Sequence, residues 1–112
     1  MITVKLFVDS DGQYRGFRVT GHAEYGEPGE DIVCAGVSVL TQNTVNAIDV
    51  YTEDDFTCTV DDGYLECIFS DRISPESKLL LNTMVLGLES IMESCRTEKK
   101  KNQFLNISTE EV

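Results

Sequence analysis

The 112-residue chain has no tryptophan, one histidine, two prolines, and nine basic residues against twenty acidic ones. Its net charge of −11 argues against direct binding of nucleic acid or of an anionic membrane, because their phosphates would be repelled. The charge favours a basic partner, although acidity also serves solubility alone. No stretch approaches the ~20 apolar residues that span a bilayer, and Met1 leads into a strand pattern rather than a signal peptide. We therefore expect a cytoplasmic protein with no membrane partner.

The chain also lacks a Cys-x-x-Cys pair among its four cysteines, Cys34, Cys58, Cys67 and Cys95. With a single histidine, their spacing matches no zinc site, so we expect no metal and no cofactor. Apolar neighbours at strand or helix spacing predict that the last three pack in the core. If Asp62-Gly63 is a two-residue hairpin turn, Cys58 lies opposite Cys67, and in a reducing cytosol we expect two buried thiols.

Hydrophobic periodicity predicts five strands and two helices, without repeats or linkers, and therefore one domain over residues 1–112. The order β-β-α-β-β-α-β indicates an α/β fold of the α+β type, in which a single mixed or antiparallel sheet of about five strands packs with two helices. Between the first helix and the third strand, Glu53-Asp54-Asp55 is expected to be a solvated turn. The predicted strands cover residues 2–8, 17–20, 56–60, 64–69 and 104–107, and the predicted helices cover residues 32–49 and, after a cap at Ser74, 75–95.

The most informative segment joins the only histidine, His22, to Cys34. An imidazole can accept a proton from a nearby thiol, so the two side chains are the groups that cysteine catalysis needs. The residues between them contain Gly26, Pro28 and Gly29 and have no hydrophobic period, which predicts an exposed loop. We expect this loop to act as a lid that closes over an extended peptide.

Asp31 is the predicted N-cap of the first helix, which makes Cys34 the third helical residue. Backbone N–H groups without helical partners, together with the positive end of the helix dipole, would stabilise a thiolate there. The same N–H groups could bind an oxyanion. Ser38 follows Cys34 by one turn on the same helix face.

The residues Gly21-His22-Ala23, Asp31-Ile32-Val33-Cys34-Ala35 and Val37-Ser38 resemble the signature of the ribosomal-processing cysteine protease family (Prp). The resemblance extends over nearly the whole chain in length and element order, but its specificity comes from residues 21–38. It implies that Cys34 is the nucleophile and His22 its base.

The same resemblance implies a cysteine endopeptidase that removes a short N-terminal extension from a large-subunit ribosomal protein during ribosome assembly. It also implies cleavage after an aromatic residue and a homodimer. The substrate would be basic, as ribosomal proteins are, and the chain is acidic. A broad apolar surface on the second predicted helix agrees with a dimer.

Five further residues match the family motif or its loop, and each also has a structural interpretation. Asp31 could orient His22, cap the helix or hold the lid; its charge beside Cys34 would oppose a thiolate, which favours the last two roles. Ser38 could support the nucleophile or only bond to the backbone. Gly21 is expected to free the backbone beside the base, and Gly26 and Gly29 are expected to let the lid close.

Two other classes of protein remain open from the residues alone. A thiol redox enzyme would use Cys34 as its reactive thiol, but no resolving cysteine lies near it in the sequence. A non-catalytic, ribosome-associated module would use the same segment only to bind a peptide. A binding groove and a cleavage groove would have the same sequence pattern.

Overall fold

A computed structural model describes residues 1–21, 30–94 and 104–112, with Glu30 and Asp31 described by their backbone alone. Five strands and two helices follow the predicted order, and both helices cover one face of the sheet. Neither described helix is long and apolar enough to cross a membrane. The elements are β1 (Ile2–Val8), β2 (Tyr14–Thr20), α1 (Glu30–Tyr51), β3 (Phe56–Asp61), β4 (Tyr64–Phe69), α2 (Pro75–Ser94) and β5 (Leu105–Glu111).

The sheet has the strand order β3-β4-β2-β1-β5 and is mixed. The pairs β1–β2, β2–β4 and β3–β4 are antiparallel, whereas β5 pairs with β1 in parallel. This confirms the predicted α+β class and decides between the mixed and antiparallel alternatives. Consequently β3 and β5 are the two edge strands, and the β3–β4 hairpin lies at one side of the sheet.

The core lies between the sheet and the two helices. In β1, Ile2, Val4 and Leu6 are buried on the helix side, as the period-two pattern predicts. Phe7 is also buried although it lies on the other face, because the Arg18 guanidinium covers its ring at 5.2 Å from the centroid. The apolar residues that the helices contribute to this core are Val33, Val37, Val45, Ile48, Leu81, Met84 and Leu88.

The second hairpin forms at Asp62-Gly63 and places Cys58 directly opposite Cys67, which confirms the predicted register. Cys67 is buried and Cys58 is exposed, and both are free thiols. The prediction of core packing is therefore wrong for Cys58. Cys58 faces the same side of the sheet as the helices, but it lies on the edge strand β3, which the helices do not cover. The period-two pattern predicts which side of the sheet a residue faces, and it does not predict whether another element covers that side. Cys95 lies outside the described residues.

Helix α1 begins at Glu30, two residues before the predicted start. Asp31 is therefore inside the first turn, and the prediction that it is the N-cap is wrong. Cys34 is the fifth helical residue rather than the third, so the regular helical pattern pairs its N–H with the Glu30 carbonyl. The N–H groups that lack an acceptor within this helix belong to the preceding turn, residues 30–32, and not to Cys34 itself.

Helix α2 begins at Pro75 with Ser74 as its cap, as predicted: the Ser77 N–H donates to Ser74 Oγ at 3.2 Å. In the neighbouring acidic turn Glu53 and Asp55 are exposed, as predicted, whereas Asp54 is half-buried. Its carboxylate accepts hydrogen bonds from the Ser74 hydroxyl at 2.6 Å and from the Ser77 hydroxyl. Asp54 thus connects the segment after α1 to the start of α2.

Candidate active site

A cleft of about 260 Å³ separates the N-terminal half of α1 from the end of the β3–β4 hairpin, and Cys34 lies in its wall. Both Cys34 and Ser38 are half-buried there, so the thiol is reachable from solvent. This confirms that the two residues share one helix face. The residues that line the cleft are Val19 and Gly21 from β2 and its end, Cys34, Ser38, Thr41 and Gln42 from α1, and Val60, Asp61, Asp62, Gly63, Tyr64 and Leu65 from the hairpin.

Helical spacing explains the α1 wall of the cleft. Ser38, Thr41 and Gln42 follow Cys34 by four, seven and eight residues, which places all four on one face over about two turns. Thr41 is buried, and its hydroxyl donates to the Val37 carbonyl at 2.8 Å. Ser38 lines the cleft and has no side-chain hydrogen bond to another residue in the described ranges.

The hairpin end is held against the end of β2 by Gly21. Its N–H donates to the Gly63 carbonyl at 3.0 Å, and its φ of +93° is a backbone conformation that favours glycine. A Cβ at this position would overlap the Met1 carbonyl oxygen. Glycine is therefore required at position 21 both for its backbone conformation and for lack of space. The hydrogen bond from Gly21 to Gly63 sets the point at which the chain leaves the sheet before residue 22.

The cleft has a negative rim. Asp61 and Asp62 line it, whereas none of its described lining residues is basic. Such a rim attracts a cation, which fits either an imidazolium or a basic peptide. Across the described part of the chain, no three His, Cys, Asp or Glu side chains are grouped to hold a metal ion.

Several predicted site residues fall outside this description. His22, Gly26 and Gly29 lie in residues 22–29, and the side chain of Asp31 is likewise not described. The pairing of Cys34 with His22, the two remaining roles of Asp31 (orienting His22 or holding the lid) and the role of the loop stay predictions. Of the predicted site, the structure brings together Gly21, Cys34 and Ser38.

Sequence reasoning missed the other residues of the cleft. Thr41 and Gln42 extend the helical stripe that contains Cys34 and Ser38, so continuing that spacing would have found them. The hairpin residues 60–65 carry no such signal, because their approach to α1 depends on the strand order. Cys58 and Cys67 do not line the cleft.

Comparison with known proteins shows a match between residues 1–100 and the family model for cysteine protease Prp. A Staphylococcus aureus protein named ribosomal processing cysteine protease Prp is 38% identical over 95 residues, which cover 83% of this chain and 90% of that protein.

Two crystal structures of the S. aureus essential ribosomal processing protease Prp share this architecture. One, in complex with a substrate peptide, has a TM-score of 0.86 at 32% identity and covers 98% of this chain and 100% of that chain. The other, with a covalently linked product peptide, has a TM-score of 0.83 at 33% identity and the same coverage.

Proposed function

Since this chain belongs to the cysteine protease Prp family and is thus a cysteine peptidase, we propose that it removes a short N-terminal extension from a large-subunit ribosomal protein during ribosome assembly. The observation that carries the proposal is the accessible Cys34 thiol in a cleft between α1 and the β3–β4 hairpin. The whole chain, residues 1–112, acts as one cysteine protease domain in the cytoplasm. It needs no cofactor.

Catalysis uses Cys34 as nucleophile and His22 as base and acid. His22 takes the thiol proton while Cys34 Sγ attacks the scissile carbonyl carbon, and the carbonyl electrons move to oxygen. When the tetrahedral intermediate collapses, the C–N bond breaks and His22 protonates the leaving amine. Water then attacks the thioester with His22 as base, which releases the new carboxylate and restores the thiol. The covalently linked product peptide of the S. aureus relative agrees with such an intermediate.

For the oxyanion we favour donors other than the Cys34 N–H, because regular helical geometry pairs that N–H with the Glu30 carbonyl. N–H groups of the preceding turn, residues 30–32, lack helical acceptors and are the helix-derived donors that remain. Among the supporting residues, Ser38 contributes its hydroxyl to the cleft, and Gly21 positions the chain before His22. Asp31, Gly26 and Gly29 support the closure of the loop over the peptide.

The substrate class follows from the charge and shape of the site. An elongated wall along two turns of α1 suits several residues of an extended peptide rather than one side chain. The negative rim and the net charge of −11 attract a basic protein over a distance. In the proposed reaction an aromatic residue precedes the cut, and no nucleic acid or membrane takes part directly.

A homodimer is the proposed assembly. Val39 of α1 and Leu86 of α2 are 70% and 65% exposed. Val39 also lines a shallow apolar hollow between the helices, together with Ala35, Gly36, Leu40 and Ile91. A second copy packed against this surface would remove these side chains from water.

The test is mass spectrometry of an N-terminally extended ribosomal protein after incubation with the wild-type chain, Cys34→Ala or His22→Ala. We expect a single cut by the wild type and none by either variant, with the fold of each variant unchanged by circular dichroism. Cys58→Ala is the matched control, because Cys58 lies outside the cleft, and it should cut at the wild-type rate.

Three results would contradict the assignment. Cleavage by Cys34→Ala at the wild-type rate would show that Cys34 is not the nucleophile. Peptide binding without cleavage by the wild type would instead support the non-catalytic module. A thiol redox enzyme would leave the ribosomal protein uncut and consume a disulfide or peroxide.

A further inference from the structure

Cys58 and Cys67 form a cross-strand pair that the proposed protease chemistry does not use. They occupy directly opposite positions on β3 and β4, and both are free thiols. Opposite residues in an antiparallel ladder alternate between hydrogen-bonded and non-hydrogen-bonded pairs. Asp55 and Ser70 form a hydrogen-bonded pair, because the Ser70 N–H donates to the Asp55 carbonyl at 2.9 Å. Cys58 and Cys67 lie three pairs further along the ladder and therefore form a non-hydrogen-bonded pair.

Non-hydrogen-bonded positions bring two side chains closest together. Their Cα atoms are typically about 4.5 Å apart, within the roughly 4.4–6.8 Å over which a disulfide can form. The two thiols also differ in access, since Cys58 is exposed at the sheet edge and Cys67 is 0% exposed beneath the helices. One thiol can therefore meet a reagent from solvent while the other can react only with its neighbour.

We propose that Cys58 and Cys67 are a redox-sensitive pair that closes into a disulfide between β3 and β4 when Cys58 meets a low-molecular-weight disulfide. In the first step the Cys58 thiol loses its proton and attacks one sulfur of the reagent. The S–S bond of the reagent breaks, the attacked half stays bound to Cys58 as a mixed disulfide, and the other half takes up a proton and leaves as a thiol. In the second step Cys67 loses its proton and attacks Cys58 Sγ. The S–S bond of the mixed disulfide breaks, its second half leaves as a thiol, and the protein disulfide forms.

The environment of Cys67 makes the second step slow. Burial, and to a smaller extent the nearby Cys58, raise the pKa of the Cys67 thiol to about 12. Only a small fraction is thiolate near neutral pH, so the mixed disulfide at Cys58 should accumulate first. Closure should become faster as the pH rises, because the thiolate of Cys67 grows about tenfold per pH unit below its pKa.

The disulfide would act on the edge of the cleft. Val60, two residues after Cys58 on the same strand face, is part of the cleft wall. A covalent bond to the buried Cys67 would hold this edge strand to β4 and slow amide exchange in β3. The proposal does not depend on the proteolytic role of Cys34.

The experiment uses the full chain carrying Cys34→Ser, which removes the thiol in the cleft, and oxidised glutathione as the probe. The mixed disulfide is prepared at pH about 7, freed of glutathione and transferred to pH about 9, and the closing reaction is followed by intact mass. We expect closure about 100-fold faster at the higher pH. Equal rates at the two pH values would overturn the proposal.

The linked residues are identified after digestion at acidic positions. Asp61, Asp62 and Glu66 lie between the two cysteines, whereas trypsin would leave both in one peptide because no Lys or Arg lies between Arg18 and Arg72. A cross-linked peptide pair containing Cys58 and Cys67 is expected. A pair that contains Cys95 in place of Cys67 would overturn the assignment.

Two variants separate the roles of the thiols. With Cys67→Ser, we expect the mixed disulfide at Cys58 to persist at both pH values, because the variant removes the thiol directly opposite Cys58. With Cys58→Ser, the buried Cys67 should remain unmodified. Modification of Cys67 in folded Cys58→Ser would contradict the proposed order of events. The closing rate in the Cys34→Ser protein, which keeps both cysteines, tests the proposal even if a variant fails to fold.

Discussion

Single residues of the same chemical type have sharply different environments in this fold. Cys34 is half-buried in the wall of an open cleft, Cys58 is exposed on an edge strand, and Cys67 is fully buried. Burial raises the pKa of the Cys58 thiol as well as that of Cys67. Reactivity toward a soluble reagent should therefore differ between the three thiols.

We predict that iodoacetamide alkylates Cys34 faster than Cys58 and that Cys67 reacts last. Cys34 is accessible and, in the proposed mechanism, has His22 as its base, whereas Cys67 is inaccessible and almost entirely protonated. Peptide mass spectrometry over time measures the three rates. His22→Ala should slow Cys34 and leave Cys58 unchanged; equal rates for Cys34 in both proteins would argue against the proposed dyad.

A second residue-scale prediction concerns Gly21. Gly21→Ala should destabilise the protein by more than the roughly 1–3 kcal/mol of a strained backbone alone, because its Cβ would also overlap the Met1 carbonyl oxygen. Gly12→Ala is the matched control, since Gly12 also has a positive φ, +77°, but its Cβ would meet open space. Urea unfolding compares the two. Equal losses would show that the crowding at Gly21 is relieved without cost.

Secondary-structure elements are joined by a polar network at the start of α2. The Asp54 carboxylate accepts from the Ser74 N–H at 3.1 Å, from the Ser74 hydroxyl and from the buried Ser77. Burial alone would raise the pKa of Asp54, but the hydrogen bonds from Ser74, Ser77 and Thr52 outweigh burial and lower it. The charged carboxylate thus stabilises the junction between α1, β3 and α2.

At the element scale we predict that Asp54→Asn loses about 1 kcal/mol of unfolding free energy at neutral pH, because water partly screens the hydrogen bonds to this half-buried carboxylate. Because the folded pKa lies below the unfolded value of about 3.9, the carboxylate stabilises the fold above that value. This stabilisation by the Asp54 carboxylate is lost as the pH falls through the folded pKa. The difference in unfolding free energy between the wild type and Asp54→Asn should therefore become smaller in acid.

Urea unfolding at pH about 7 and at pH about 3 measures this deficit, with the wild type as reference. Asp55→Asn is the control, because it removes the same charge from an adjacent exposed side chain. It should change stability little at either pH. A deficit of Asp54→Asn that is equal at both pH values would show that the charge of Asp54 is not what stabilises the junction.

At the scale of the whole molecule, both described helices lie on the same face of the sheet, and they leave apolar side chains on their outer surface. Val39 and Leu86 are the examples that the proposed dimer would bury. We predict that the wild type behaves as a dimer in light scattering after gel filtration, and that Leu86→Asp shifts it toward the monomer. An aspartate in an apolar interface would be desolvated without a partner.

Thr57→Asp serves as the control for that experiment. It adds the same charge to an exposed position on β3, on the sheet face away from the helices. The control should remain a dimer. A wild-type chain that is monomeric at all concentrations, or a Leu86→Asp variant that dimerises as tightly, would refute the proposed interface.

Much of this molecule is determined by the sequence itself, because the forces involved are local. Period-two alternation and the Asp62-Gly63 turn set both strands of the second hairpin and its register, and Ser74-Pro75 sets the start of α2. Helical spacing from Cys34 to Ser38 places both in one cleft wall. The family signature in residues 21–38 was recognisable without any structure.

Only the tertiary structure decided which of these elements meet. The parallel pairing of β5 with β1 and the edge position of β3 depend on contacts between residues far apart in the chain. The edge position explains why Cys58 is exposed, although the alternation in its strand is that expected for a buried residue. The same strand order brings residues 60–65 to the cleft opposite Cys34. A periodic pattern records which side of an element is apolar, whereas coverage of that side depends on packing between residues far apart in the chain.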